Sequence, residues 1–251
     1  MNTNDILVSI ITVTYNSEQT LEDTIQSIIN QSYKNIEYII IDGGSTDNTL
    51  NIIEKYKQHI SYWISEPDKG IYDAMNKGIQ KAKGELIGII NSDDWYEKDI
   101  ISTVVSKYKK YGDNCIYHGN IKFHYNNGLI EWKKPQLNLN KFYRGTILFH
   151  PTFFVPKKLY TRIGLFDIKF KIAADYDFMI RSYKEGIKYI YIDKYISNMR
   201  AGGESTQKAI LGYKETAVIA NKAGLKKWKV LLFTGIKIAI YKFNKFKGKL
   251  Q

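Results

Sequence analysis

Short apolar runs alternate with amphipathic stretches four times in the first hundred residues. Val8-Ser-Ile-Ile-Thr-Val-Thr14, Ile36-Glu-Tyr-Ile-Ile-Ile41, Ile60-Ser-Tyr-Trp-Ile64 and Glu85-Leu-Ile-Gly-Ile-Ile90 are rich in β-branched residues, the pattern of strands buried in a sheet. Between them apolar positions recur at helical spacing. Leu21, Ile25, Ile28 and Ile29 share one face of a helix over 17–31, with Ser17 as its N-cap. Leu50, Ile53 and Tyr56 follow the second run, and Ile71, Met75 and Ile79 lie within a helix over 71–83. Strand–helix alternation on short loops predicts an α/β fold: a mostly parallel central sheet, wound right-handedly, with helices on both faces and a cleft along one edge.

After a further helix over 97–111 the rhythm changes. Stretches 114–125 and 129–133 flank Asn126-Asn127-Gly128, a hairpin signal. A loop with a short helix over 134–144, a strand over 150–155, helices over 173–184 and 206–222 and a strand over 188–193 make an α+β second half on the same sheet. No Pro/Gly/Ser-rich linker intervenes, so one domain over 1–224 is expected, divided into halves 1–112 and 113–224, with 225–251 as a tail. In that tail Trp228, Leu231, Leu232, Ala239, Ile240 and Phe243 fall near one helical stripe. Lys237, Lys242 and Lys245 interrupt it too often for a membrane span. A basic amphipathic helix lying on an anionic membrane surface fits the pattern; packing against this domain or another protein is the plainer alternative.

Charge changes the picture only at the tail. Of a net +12, eight lysines and no acid lie beyond Leu225, leaving 29 basic against 25 acidic residues in 1–224. A phosphate-tracking stripe through the domain is not required, and no nucleic-acid partner is expected. Cys115 stands alone, which excludes an internal disulfide and a cysteine-rich metal site. Met1-Asn-Thr-Asn-Asp5 is polar with no leader pattern, so a reducing, cytoplasmic setting is expected.

Candidate chemistry gathers where the strands end. Two adjacent carboxylates in Asn91-Ser92-Asp93-Asp94 resist ionising together, which suits a divalent cation such as Mg²⁺ or Mn²⁺; capping the next helix is the other reading. Asp42-Gly43-Gly44-Ser45-Thr46-Asp47 is a strand-to-helix turn whose glycines admit close backbone approach by a ligand. It is neither a dinucleotide fingerprint nor a phosphate loop. In Glu66-Pro-Asp-Lys-Gly-Ile-Tyr-Asp-Ala-Met-Asn-Lys-Gly78 the polar groups of Asp68, Asp73 and Asn76 are placed to face a cleft. Asp175, in Ala173-Ala-Asp-Tyr-Asp-Phe178, opens a helix either as a dipole partner or as a general base. Arg200, beside Gly202 and Gly203, belongs either to a surface loop or to a diphosphate contact. His59, His118 and His124 read as surface or strand residues and His150 as a core histidine.

Together, Val8–Asn16, Ile41–Thr49, Ser65–Gly78, Gly84–Asp94 and Ala174-Asp175 resemble the family 2 glycosyltransferases of GT-A fold, over roughly residues 6–205. The Glu66–Gly78 block resembles the branch that builds bacterial surface polysaccharides. The resemblance implies inverting, metal-dependent transfer of a sugar from a nucleotide sugar, a UDP-sugar favoured, to a saccharide or polyprenyl-linked acceptor at the inner face of the cell membrane. It places Thr14, Tyr15, Asp42, Gly43, Asp68, Lys69, Asn76, Asp93 and Arg200 around the donor, Asp93 and Asp94 on Mn²⁺ or Mg²⁺, and Asp175 as base. The chain departs from the family pattern at Gly43, Asn91 and Ala174, where acids are frequent, and at Met75, where arginine is. A nucleotidyltransferase would carry a Gly-rich basic loop where Tyr15-Asn-Ser-Glu18 stands. A non-catalytic nucleotide-sugar binder is the reading left if Asn91 and Ala174 mark decay.

Overall fold

Strand β1 (Val8–Thr14) is buried at every residue and forms the axis of the first half. Helix α1 (Leu21–Ile29) leads to β2 (Ile36–Asp42), α2 (Thr49–Lys55) to β3 (Tyr62–Ser65), and α3 (Ile71–Lys81) to β4 (Leu86–Asn91). β2 and β4 pair with β1 in parallel on either side, and β3 pairs with β2 in parallel. The computed structural model describes residues 5–246, with side chains described to 243. Met1–Asn4 and the side chains of Lys245, Lys247 and Lys249, on which the sequence reading also drew, lie outside the described residues.

Alternation along β1 and β2 sends successive side chains to opposite faces. Ile11, Val13, Ile39 and Ile41 enter one core with residues of α3; Val8, Ile10, Tyr38 and Ile40 enter the other with α1 and α2. Helices thus cover both faces. α3 lies so close that a Cβ at Gly78 would sit 2.4 Å from Ile11 Cγ2.

The second half contains β5 (Trp95–Tyr96), α4 (Ile100–Tyr111), β6 (Cys115–His124), β7 (Ile130–Lys133), β8 (Phe154–Pro156), α5 (Lys157–Ile163), α6 (Ala174–Lys184), β9 (Lys188–Arg200), α7 (Glu204–Gln207), α8 (Ala209–Lys222) and α9 (Lys227–Phe246). β6 and β7 form the expected hairpin, and β6 pairs with β9 in parallel. The β4–β8, β6–β8 and β5–β9 pairs are antiparallel, so this half of the sheet is mixed. Across the described residues the order is β3-β2-β1-β4-β8-β6-β9-β5. β4 and β5 are separated by only three residues of chain yet bound the run β4-β8-β6-β9-β5, so the sheet curls. The curl returns the end of β9 to the end of β4.

Several boundaries differ from the sequence expectation. α1 starts at Leu21, and Ser17 spends its hydroxyl on Ser92 Oγ (2.7 Å) instead of capping. α4 starts at Ile100 because residues 95–96 are drawn into a strand against β9. Pro151 lies in a 3₁₀ turn (His150–Thr152), so the strand expected from 150 begins only at Phe154. β9 runs seven residues past Asp193, and the 206–222 helix divides at Lys208. α5 was not expected.

α9 packs on α8 and on the 3₁₀ turn Leu139–Arg144 through buried Val230, a Tyr143–Phe233 contact at 5.4 Å and a Tyr213–Tyr241 contact at 6.4 Å. Its opposite face exposes Trp228, Leu231, Leu232, Ile236, Ile240 and Phe243. Lys237 turns inward over the Tyr213 ring, where burial lowers its pKa. Among the described residues no helix is long and apolar enough to cross a membrane.

Candidate active site

Three strand-end loops are stitched side by side. Gly43 N–H donates to Thr14 O (2.9 Å), and Asn16, held at a left-handed φ of 47°, donates its N–H to Ser45 Oγ (2.8 Å). Thr46 N–H returns to Asn16 Oδ1 (2.9 Å), and Ser17 N–H reaches Thr49 Oγ1 (2.8 Å). At the centre is fully buried Asp42. Its Oδ2 accepts from Gly44 N–H (3.0 Å), Ser45 N–H (2.9 Å) and Ser65 Oγ (2.6 Å), while Oδ1 accepts from Ser45 Oγ. Asp42 therefore shapes the loop from within rather than reaching out of it.

What remains open is the space above Gly43. A Cβ there would lie 2.7 Å from Asp68 Oδ2 and 3.4 Å from the Tyr15 ring, so glycine keeps this opening clear between the two. Tyr15 is 61% exposed. Burial raises the pKa of Asp68, whose Oδ1 accepts from Gly70 N–H (2.7 Å). Buried Thr14 Oγ1 and Asn91 Oδ1, at the ends of neighbouring β1 and β4, have no hydrogen-bond partner. Unspent polar atoms at adjacent strand ends are costly unless a ligand uses them.

Asp93 and Asp94 occupy the turn between β4 and β5, with Asp94 N–H on Asn91 O (3.2 Å). Asp99, not either of these, precedes α4, so the capping reading fails. The curl brings in their counter-charge. Arg200 donates its backbone N–H to Asp94 Oδ1 (3.2 Å) and its Nη1 to Asp93 O (2.8 Å). The guanidinium stacks on Trp95 at 4.5 Å and also pairs with Asp23. Burial raises the Asp93 pKa, and burial reinforced by the Asp93 charge raises that of Asp94 well above the usual carboxylate range. Asp93 Oδ2 faces Gly203, where a Cβ would stand 3.2 Å away. Arg200 is thus engaged with the acid pair and Asp23, rather than waiting on a free loop.

In the second half, Asp175 lies in the first turn of α6. Tyr72 OH bonds to its Oδ1 (3.1 Å) and to Ile172 O (2.8 Å). Desolvation pushes the Asp175 carboxyl up to about 6, opposed by first-turn amides and Tyr72. Glu215 of α8 fixes the approach to α6 by accepting from the N–H groups of Lys171 (2.9 Å), Ile172 (2.9 Å) and Ala173 (3.0 Å). Lys171 Nζ reaches Lys69 O (3.1 Å), joining this segment to the Asp68 turn. Asn76 spends both ends of its amide on the Phe166 backbone (2.9 and 3.0 Å), which fastens α3 to the same loop. Tyr72, Glu215, Ser65 and Asp23 were not singled out from the sequence; Tyr72 and Ser65 carried a signal, their place in the Ser65–Gly78 stretch. His150 is buried in a ring cluster with Phe153 and Phe166, and burial lowers it to about 4. His118, expected at a surface or in a strand, is a buried strand residue with Nδ1 unpartnered.

The sequence pattern described as Glycosyl transferase family 2 matches residues 9–166. The chain belongs to that family. As a family 2 glycosyltransferase it transfers sugar from a nucleotide sugar. It is 35% identical over 181 residues to Uncharacterized glycosyltransferase Rv1514c of Mycobacterium tuberculosis, covering 70% of this chain and 68% of that one. The fold is GT-A. The crystal structure of S. aureus TarS 1–349 in complex with UDP-GlcNAc superposes with a TM-score of 0.66 at 22% identity, over 90% of this chain and 70% of that one. GalNAc-T7 with UDP, GalNAc and Mn²⁺ superposes with a TM-score of 0.66 at 17% identity, over 88% of this family 2 chain and 48% of that one.

Proposed function

We propose that the protein transfers a hexosyl or N-acetylhexosaminyl group, with inversion, from a UDP-sugar to a hydroxyl of a lipid-linked saccharide acceptor in bacterial surface polysaccharide assembly. The observation that supports this reading is a pair of braced carboxylate centres: Asp93–Asp94 at the end of β4, held by Arg200, and Asp175 at the start of α6, held by Tyr72 of α3. The first suits a donor's diphosphate end, the second an acceptor's hydroxyl. Of the two structural neighbours named above, TarS 1–349 holds UDP-GlcNAc, and GalNAc-T7 holds UDP, GalNAc and Mn²⁺.

Tyr15, Gly43 and Asp68 frame the slot for the base and ribose, with Lys69 next to Asp68 in its turn and the unspent Thr14 Oγ1 next to Tyr15 in sequence. Asp93 and Asp94 would hold Mn²⁺ or Mg²⁺. No cluster of three or more His, Cys, Asp or Glu ligands forms among the described residues, and two carboxylates with phosphate oxygens completing the shell are what a hard cation at a diphosphate uses. The unpartnered Asn91 Oδ1 beside them fits the same donor chemistry. A bound divalent ion stabilises negative charge on the departing β-phosphate. Arg200 keeps the acid pair in place and adds positive charge at its edge; Asn76 keeps the Phe166 loop against α3. Asp175 accepts the acceptor's hydroxyl proton as the new C–O bond forms and the bond to the β-phosphate breaks. A base of pKa about 6 is largely ionised at neutral pH while still able to take a proton. The exposed apolar face of α9, with Lys226, Lys227 and Lys242 near it, lies on the anionic inner leaflet, where a lipid-linked acceptor is presented.

The test is a thermal-shift panel of UDP, GDP and their sugars, with and without Mn²⁺. A metal-dependent rise for a uridine nucleotide, lost in Asp93→Asn or Asp94→Asn, is the expected result. A flat response to every nucleotide overturns the donor site.

A further inference from the structure

A second opening, of about 380 Å³, lies past the end of β5, between the start of α4 and the β6–β7–β9 part of the sheet. One wall is aromatic. Trp132 of β7 is 58% exposed and meets Tyr195 of β9 edge-on, with ring centres 4.7 Å apart and planes at 84°. Lys122 Nζ sits over Trp132 at 4.8 Å and is anchored by Glu97 (2.6 Å). Glu97 also accepts from Asn198 Nδ2 (2.8 Å), so the anchor is braced from β9. Asp99 stands at the lip with a left-handed φ of 61°. Although it is the residue before α4, its side chain makes no cap hydrogen bond, so its carboxylate is not spent on the helix.

The chemistry of this lining selects its occupant. Three acids (Glu97, Asp99, Asp193) balance three lysines (Lys98, Lys122, Lys194), so nothing favours a polyanion or a polycation. The polar rim is too dense for a lipid chain or an apolar helix. A tryptophan ring that stays mostly exposed with Lys122 over it, set among carboxylates and ammonium groups, matches a carbohydrate, whose C–H face packs on the open part of the ring and whose hydroxyls both donate and accept. Position matters as well. Glu97 follows Asp94 by three residues, ~10 Å of extended chain, so the opening lies one short stride from the acid pair.

We infer that this groove binds an uncharged stretch of saccharide, holding the acceptor chain away from its reacting end. The assignment of that saccharide as acceptor rests on the proposed transferase reading; the binding itself does not.

The full chain, without nucleotide, is titrated with maltohexaose, mannotetraose and N-acetylchitotetraose by saturation-transfer NMR and calorimetry. At least one binds, in the range of ~1 mM. Trp132→Ala weakens it at least tenfold, Trp132→Phe restores most of it, and Glu97→Gln weakens it several-fold. Melting temperature and the UDP-sugar thermal shift stay at wild-type values in Trp132→Ala. Absence of binding by all three sugars, or binding that Trp132→Ala leaves unchanged, overturns the groove. So does a salt-sensitive preference for polyphosphate over every sugar. Loss of the nucleotide shift with sugar binding intact would remove the donor reading alone.

Discussion

Asp175 is where single atoms decide most. Desolvation holds its carboxyl at about 6 in the folded protein, above the usual unfolded value near 3.9. Between those values the folded state binds more protons than the unfolded one, so this group's contribution to stability falls as pH rises. Asp175→Asn should therefore raise stability at pH 7.5 by on the order of 1–3 kcal/mol in urea melts while lowering kcat at least ~100-fold. It should leave the nucleotide shift intact; retained transfer would remove Asp175 as base. In the wild type, kcat should fall about tenfold per unit below pH 6. Tyr72→Phe deletes a hydrogen bond that favours the ionised carboxylate, so the acid limb should move to higher pH; an unmoved limb would mean Tyr72 only packs. The sequence made Asp93, Asp94 and Asp175 visible because carboxylates beside apolar runs need an explanation. It hid Tyr72's role and Glu215 altogether, since their partners lie 103 and 42–44 residues away and no local pattern records such pairings.

At the scale of elements, legibility followed burial. β1, β2 and β4 declare themselves as apolar runs because both faces of that part of the sheet are covered. The last seven residues of β9, Lys194–Arg200, are mostly polar, and only pairing with β6 and β5 makes them strand. Residues 95–96 likewise join the sheet for a partner's sake, which delayed the start of α4. Gly78 shows how tightly α3 is set on β1. Gly78→Ala would force its methyl into Ile11, and a loss of about 1–3 kcal/mol is expected from overpacking. Equilibrium urea unfolding reads this directly, and a cost below ~0.5 kcal/mol would show that α3 can shift. Because Asp73, Asn76 and Tyr72 ride on α3, the same variant should also blunt turnover.

At the scale of the molecule, α9 faces two ways. Val230, Phe233 and Tyr241 hold it to the domain, while Trp228, Leu231, Leu232, Ile236 and Ile240 face outward. The tail's stripe was readable in the sequence; that its other side docks on α8 was not. Removing residues 225–251 would disturb that docking, so substitution is the cleaner probe. Leu231→Glu with Ile240→Glu should abolish sedimentation with vesicles containing anionic lipid, change melting temperature by less than ~2 °C, and spare transfer to a water-soluble acceptor. Undiminished sedimentation would sink the membrane assignment.

The bond between Arg200 N–H and Asp94 Oδ1 spans 106 positions of chain. Contacts so distant in sequence close slowly, after local strand–helix units have formed. The acid pair therefore acquires its partner late, whether the chain refolds from urea or emerges from a ribosome. Recovery of far-UV circular dichroism should run ahead of recovered nucleotide binding. Coincident recovery would mean that the sheet closes in one step. For most of its folding time, this enzyme is a sheet whose two adjacent carboxylates still lack the arginine that braces them.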